Sequence, residues 1–182
     1  MDDIPSAPDS IPKQPPLISI ITVVYNSRQF LESTIQSVVT QESTNFEYII
    51  IDGGSTDGTL DIIKRYSEVI DYWVSEPDKG LYDAMNKGLK VAKGEYVWFI
   101  NSGDKIYEDN TISLIESMVN QSVKPDVIYG ETLIIDADGR EIGMRRLSAP
   151  DMLTWKKLID GLVVCHQSII IKRSIAPFYN TK

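Results

Sequence analysis

The sequence predicts an α/β fold, a mostly parallel sheet flanked by helices with a small antiparallel extension, and three observations point to it. Runs rich in β-branched residues alternate with stretches of helical periodicity from residue 17 to residue 129. The first run, Leu17 to Tyr25, is nearly continuous, as in a strand covered on both faces. Each run ends in polar or glycine-rich residues, and a sheet of this kind takes its ligands beyond the carboxyl ends of its strands. The clusters at those ends, Tyr25 with Asn26, Asp52 to Asp57, Glu76 to Lys79 and Asn101 to Asp104, are therefore expected to converge on one crevice.

Each element has its own signal. After the first strand, Asn26-Ser27 is expected to cap a helix whose inward face is Phe30, Leu31, Ile35, Val38 and Val39, spaced at about 3.6 residues. Phe46 to Ile51 is the second strand and ends in Asp52-Gly53-Gly54. Ser55 or Thr56 is expected to cap the next helix, which carries Leu60, Ile62, Ile63 and Tyr66. Ile70 to Val74 is a short third strand, and residues 81 to 92 form a helix with Leu81, Met85, Leu89 and Val91 inward. Glu95 to Ile100 is a fourth strand, a helix spans about 110 to 121, and Val127 to Tyr129 is a fifth strand. From Leu133 to Ile142 the pattern becomes that of a hairpin, with Asp138-Gly139 suited to a primed turn.

Residues 1 to 16 hold five of the nine prolines and few large apolar groups, a composition expected to stay disordered. Residues 17 to 182 are expected to form one domain, since 182 residues suffice for one sizeable core and not for two full domains. The apolar fraction of 42% and the charged fraction of 24% are those of an ordinary globular chain. A net charge of -8 argues against a nucleic-acid partner, whose binding rests on many Lys and Arg contacts. An acidic protein can still hold a nucleoside diphosphate through a divalent cation. No run approaches the roughly 18 apolar residues of a membrane span, and no leader is evident, so the expected location is the cytoplasm, peripheral association with the inner membrane face included. Cys165 is the single cysteine and is expected to be a buried, inert thiol.

The strand-end clusters carry the chemistry. Paired glycines after Asp52 let backbone approach a ligand closely, and a strand-end carboxylate can accept from a base imide or a ribose hydroxyl; the same residues also make an ordinary strand-to-helix turn. Asp104 emerges from an apolar strand and suits a hard divalent ion that completes its shell with phosphate oxygens and water, or is simply an exposed turn residue. Lys79 and Gly80 stand at the start of a helix, where backbone N–H groups favour anions. Asp83 and Lys87, four apart, also fit a plain surface ion pair. His166, the only histidine, precedes the apolar run Ile169 to Ile171 and reads equally as a structural residue.

Taken in order, Ile-Thr-Val-Val-Tyr-Asn, Asp-Gly-Gly-Ser-Thr-Asp-Gly-Thr, Glu-Pro-Asp-Lys-Gly-Leu-Tyr-Asp-Ala-Met-Asn-Lys-Gly, Gly-Glu-Tyr-Val-Trp-Phe-Ile-Asn-Ser-Gly-Asp and Cys-His-Gln-Ser closely resemble family 2 glycosyltransferases of the GT-A fold, over residues 17 to 182. The resemblance implies an inverting transfer from a nucleotide-diphosphate sugar, UDP before others, to an acceptor hydroxyl in surface polysaccharide or glycan synthesis, with Mn2+ or Mg2+ as cofactor and a saccharide or lipid-linked acceptor. By position it implies that Tyr25 and Asn26 lie beside the base and that Asp52, with Gly53, accepts from the base imide. Lys79, Gly80 and Asn86 line the nucleotide and donor-sugar pocket, Asp104 binds the metal, and His166 and Gln167 face the acceptor.

The common family pattern Asp-Ser-Asp-Asp is Asn101-Ser-Gly-Asp104 here, which removes two carboxylates and leaves Asp104 to carry the metal largely alone. That departure keeps open a non-catalytic nucleotide-sugar-binding module. A sugar nucleotidyltransferase is disfavoured because Tyr25-Asn26-Ser27 is not a glycine- and Arg/Lys-rich phosphate loop. The family's general base comes from an acidic motif expected beyond Lys182, with Glu131 and Asp160 as stand-ins within the chain.

Overall fold

The computed structural model describes residues 15–154, 156–157 and 163–181; Asp160 and most of the proline-rich segment lie outside them. Among the described residues the strands and longer helices follow one another as β1 Ile18–Val24, α1 Arg28–Val39, β2 Phe46–Asp52, α2 Thr59–Arg65, β3 Tyr72–Ser75, α3 Leu81–Val91, β4 Tyr96–Phe99, α4 Thr111–Val119, β5 Val127–Tyr129, β6 Leu133–Ile135, β7 Glu141–Met144 and β8 Ile169–Lys172. Six strands form one sheet in the order β3-β2-β1-β4-β8-β5, while β6 and β7 pair separately.

All seven residues of β1 are buried, as a β-branched strand covered on both faces requires. Its neighbours β2 and β4 run parallel to it, and β3 runs parallel to β2. Consecutive strands thus step outward from β1 through β2 to β3, after which the chain returns to the other side of β1 with β4. This reversal is the switch point at which a crevice opens. One face of the sheet packs Ile18, Ile20, Tyr48 and Ile50 against α1, α2 and α4. The other packs Ile21, Val23, Ile49 and Ile51 against Ala84, Met85 and Leu89 of α3.

Local patterns did not place β8. It slots between β4 and β5, antiparallel to both. An antiparallel strand begins where its parallel neighbours end, so the 3-10 turn His166–Ser168 just before it reaches the same sheet edge as the strand-end clusters.

Several expectations need correction. Leu81 is half exposed, because α3 meets the sheet around Gly88, where a Cβ would lie 2.5 Å from Ile21 Cγ2; its inward face is Ala84, Met85, Gly88 and Leu89. Phe30 is likewise exposed on α1. Neither helix takes the expected side-chain cap: Ser27 makes no capping hydrogen bond, and at α2 the work falls to Asp57, whose Oδ1 accepts from Thr59 N at 3.0 Å and Thr59 Oγ1 at 2.6 Å. The β6–β7 connection is no two-residue primed turn, since only Gly139 has positive φ and Asp136 caps the loop by accepting from Asp138 N and Arg140 N. Lys87 pairs with Glu76 at 2.8 Å and not with Asp83. Pro16, counted with the tail, is tied to the fold through its carbonyl, which accepts from Glu95 N at 3.2 Å.

Candidate functional site

The loops after β1 and β2 are laced to each other. Asn26, at φ 47, donates its backbone N–H to Ser55 Oγ at 2.8 Å, and its side-chain oxygen accepts from Thr56 N at 2.9 Å. Asp57 spans both loops by also accepting from Arg28 N at 3.0 Å. The Thr59 hydroxyl and the Arg28 N–H hold its carboxyl below the ordinary aspartate range. Tyr25, 65% exposed, stands above this lacing with its ring free for a planar partner.

Asp52, expected at the strand end to accept from a base, is fully buried, at 0% exposure. Its carboxylate accepts from Ser55 N at 3.0 Å, from the Ser55 hydroxyl, and from the Ser75 hydroxyl at 2.6 Å. Asp52 therefore fastens the ends of β2 and β3 together and presents no surface to a base. Gly53, expected to let backbone approach a ligand, meets another part of the chain. A Cβ there would lie 2.5 Å from Asp78 Oδ2 and 3.3 Å from Tyr25 Cδ2, so the loop after β3 folds directly over it.

At the start of α3 the two backbone N–H groups expected to receive an anion are already engaged. Lys79 N donates to Asp83 Oδ2 at 3.1 Å and Gly80 N to Asp78 Oδ1 at 2.8 Å. The Lys79 residue is exposed at the crevice rim. Asn86, 8% exposed, is also committed: Nδ2 donates to Tyr179 O at 2.9 Å and Oδ1 accepts from Tyr179 N at 2.8 Å, pinning the C-terminal segment to α3.

The Asn101–Asp104 turn closes with Asp104 N donating to Asn101 O at 2.9 Å and is braced on α1, where Thr34 Oγ1 accepts from Gly103 N and donates to Asp104 O. Burial pushes the Asp104 carboxyl above its usual range, partly offset by a hydrogen bond from the Gln167 side chain. Gln167 and Asp104 are thus brought together. The Asn101 side-chain oxygen is buried without a hydrogen-bond partner, although a buried polar atom is costly to leave unsatisfied. Among the described residues no cluster of three or more His, Cys, Asp and Glu exists. A divalent cation fits this turn on those terms. Asp104 and the orphaned Asn101 oxygen are hard donors, and the remaining positions fall to diphosphate and water. Sequence reading saw in Asn101 only a lost carboxylate; the signal was a polar amide placed at the end of a wholly apolar strand.

His166 Nε2 lies 2.9 Å from the Tyr179 hydroxyl, and its ring stacks near Phe99 at 5.9 Å. Tyr179 stacks in turn on Tyr82 at 5.1 Å. Burial holds the His166 pKa below its usual value, so the ring is neutral at pH 7. Cys165 is partly buried, short of the full burial expected, and its thiol donates to Gln167 Oε1 at 2.9 Å. Glu131, the stand-in base, is exposed and accepts from Ala149 N at 3.0 Å. Between β5, α4 and the hairpin lies a cavity of about 470 Å3 lined by Trp98, Asp104, Tyr129, Glu131, Leu133 and Gln167 among others.

Comparison with known proteins gives this edge a context. Residues 19–176 match the family described as Glycosyl transferase family 2. A PGL/p-HBAD biosynthesis glycosyltransferase of Mycobacterium tuberculosis is 31% identical over 163 residues, 88% of this chain and 60% of that protein. The putative teichuronic acid biosynthesis glycosyltransferase TuaG of Bacillus subtilis is 34% identical over 161 residues, 87% and 63% respectively. This chain therefore spans about three fifths of the length of these relatives. Among solved structures, S. aureus TarS 1-349 in complex with UDP-GlcNAc superposes with a TM-score of 0.68 at 24% identity, over 86% of this chain and 45% of that one. A mannosyltransferase of Pyrobaculum calidifontis in complex with GDP-Man and Mn2+ gives 0.54 at 21% identity, over 69% and 37%. With a GT-A architecture, the ordered motifs on one sheet edge and a family match over most of its length, the chain belongs to glycosyl transferase family 2.

Proposed function

We propose that this chain is the donor-binding part of an inverting, metal-dependent glycosyltransferase that moves a sugar from a UDP-sugar to an acceptor hydroxyl in surface glycan synthesis. The observation that carries the reading is the pairing, in one strand-end turn, of a partly desolvated carboxylate, Asp104, with a buried amide oxygen that has no partner, Asn101. A carboxylate whose one side-chain donor is Gln167, next to an amide oxygen with none, suits a cation brought in with a diphosphate. The family match, the teichuronic acid relative and the UDP-GlcNAc complex of a protein with the same fold support it.

In this reading the base lies against Tyr25 at the end of β2, and the exposed Lys79 stands at the rim of the diphosphate path. Asn26 and Asn86 act by holding loops, Asn26 across the β1 and β2 ends and Asn86 through Tyr179. The bound cation supplies stabilisation of the negative charge that develops on the departing diphosphate. The cavity flanked by Asp104, Gln167 and Glu131 receives the acceptor, and its Trp98, Tyr129 and Leu133 walls suit the apolar faces of a saccharide or the linker of a lipid-linked one.

Calorimetric titration of UDP with Mn2+ and with EDTA tests the reading. Affinity should rise with Mn2+ in the wild type, and Asp104→Ala should abolish that dependence. An equal response to Mn2+ in the variant would put the metal elsewhere. Hydrolysis or transfer of a UDP-sugar separates the enzyme from a non-catalytic binding module.

A further inference from the structure

We propose that Asp78 is the residue that reads the nucleobase, by accepting the imide N–H of a uracil-type ring on its free oxygen Oδ2, and that Gly53 is glycine so that this carboxylate can stand there. The inference rests on the reading above, in which the base lies against Tyr25.

Asp78 reaches the crevice through two fixed contacts. Glu76 N donates to Asp52 O at 3.0 Å, extending the β2–β3 pairing, and Pro77 then packs over Gly54, where a Cβ would lie 3.3 Å from Pro77 N. The chain is thereby laid across the end of β2. Asp78 Oδ1 accepts from Gly80 N at 2.8 Å, which orients the carboxylate. Oδ2 has no hydrogen-bond partner among the described residues, and it occupies the space over the bare Gly53 Cα. The Cβ position of Gly53, 2.5 Å from Oδ2, is also 3.3 Å from Tyr25 Cδ2, so ring and oxygen both border Gly53. A side chain at position 53 would force the Asp78 carboxylate out of this place.

The strand-end carboxylate that sequence alone would assign to this task, Asp52, has its oxygens taken by Ser55 and Ser75 and no exposed surface. Asp78 supplies what Asp52 cannot. One free oxygen also discriminates. Uracil offers a single ring N–H between two carbonyls, whereas guanine offers an adjacent ring N–H and amino group that call for two acceptor oxygens. Cytosine and adenine have no protonated ring nitrogen on that edge. The ligand class is accordingly a uracil or thymine nucleoside diphosphate.

The test uses UDP and N3-methyl-UDP, titrated with Mn2+ into the intact chain and into Asp78→Asn, Gly53→Ala and Tyr25→Ala. Wild type should favour UDP over the methylated analogue by about tenfold to a hundredfold, the range for a hydrogen bond to a charged group. The amide oxygen introduced by Asp78→Asn can still accept from Gly80 N, so that variant keeps the loop and should lose the preference to within about threefold. Gly53→Ala, which displaces the carboxylate, should lose it as well. Damage to the loop alone would weaken both ligands equally and leave their ratio intact, which would overturn the proposal. If Tyr25→Ala weakens UDP while Asp78→Asn keeps the full preference, Asp78 falls and the site stands. If wild type binds no UDP, or none of the variants alters its binding, the site reading falls and this assignment with it.

Discussion

Removing the Asp52 carboxylate should cost fold stability before it reports on any ligand. Its two oxygens take three donors: Ser55 N–H, the Ser55 hydroxyl and the Ser75 hydroxyl. A hydrogen bond to an ionised group contributes about 1.5–3 kcal/mol. Three such bonds sum to about 4.5 kcal/mol even at the low end, but the two serines are only part-buried and can turn to water in Asp52→Ala, which brings the loss down to about 3 kcal/mol. That is a large share of the about 5–15 kcal/mol that holds a domain together. At about 2–4 °C per kcal/mol for a chain of this size, Tm should fall by about 6–12 °C. Urea titration is the assay: the midpoint should drop at an unchanged slope, with Asp52→Asn between the two because it keeps one acceptor. A midpoint shift worth under about 0.5 kcal/mol, the scatter of ordinary surface changes, would refute the tie between β2 and β3. A loss of UDP affinity in Asp52→Ala is interpretable only at a temperature where the variant remains folded.

Asn86→Ala should release the C-terminal segment at a cost of about 1–3 kcal/mol, seen as loss of amide-exchange protection at Tyr179; unchanged exchange there would show that other contacts hold it. Because burial lowers the His166 pKa, the unfolded chain takes that proton first, so the associated stability is complete above about pH 6.5 and is lost as pH falls through the folded value. Unfolding free energy measured from pH 7 to 5 should decline less in His166→Phe than in wild type, and parallel curves would refute the assignment. Gly88→Ala sets a helix gain of about 1 kcal/mol against overpacking of about 1–3 kcal/mol, since its Cβ would meet Ile21 Cγ2 at 2.5 Å. Net destabilisation in urea is expected, and a stabilised variant would mean that α3 can stand further from the sheet at no cost.

The sheet was legible because its strands announce themselves locally: Ile18–Val24 is apolar throughout but for Ser19 and Thr22, and the spacing of Leu31, Ile35 and Val38 can only face one way. The order of strand-end clusters was legible too, since a parallel sheet brings those ends together. What escaped were facts set by partners far away in sequence. Four residues at Ile169–Lys172 carry no mark of being inserted between β4 and β5, because that position depends on pairing with Tyr96 to Trp98 some seventy residues earlier. Asp52 looked like a free strand-end acid because its third partner, Ser75, is 23 residues away. Asn86 looked like a pocket residue because its partner, Tyr179, is 93 residues away. The one signal for Asp78 that sequence did hold was indirect: a glycine at 53 directly after a carboxylate.

Polar residues at this sheet edge sort by whether their atoms are already satisfied. Asp52, Asn86 and Asp57 have both polar side-chain atoms engaged by other parts of the chain. They hold connections in register, and a ligand that took one of them would have to break a bond for each it made. Exchange of that kind yields little net affinity, because a hydrogen bond gained against one lost leaves only their difference. The Tyr25 ring, Asp78 Oδ2 and Asn101 Oδ1, the last near the partly desolvated Asp104 carboxyl, are groups to which a ligand adds a partner without removing one. They lie beyond the ends of β1, β3 and β4, and they call for different chemistries: a planar face, an imide donor and a cation. Under the proposed function a uracil ring joined to a metal-bound diphosphate would supply all three in one molecule, and it is the unmet groups, more than the conspicuous ones, that carry that proposal.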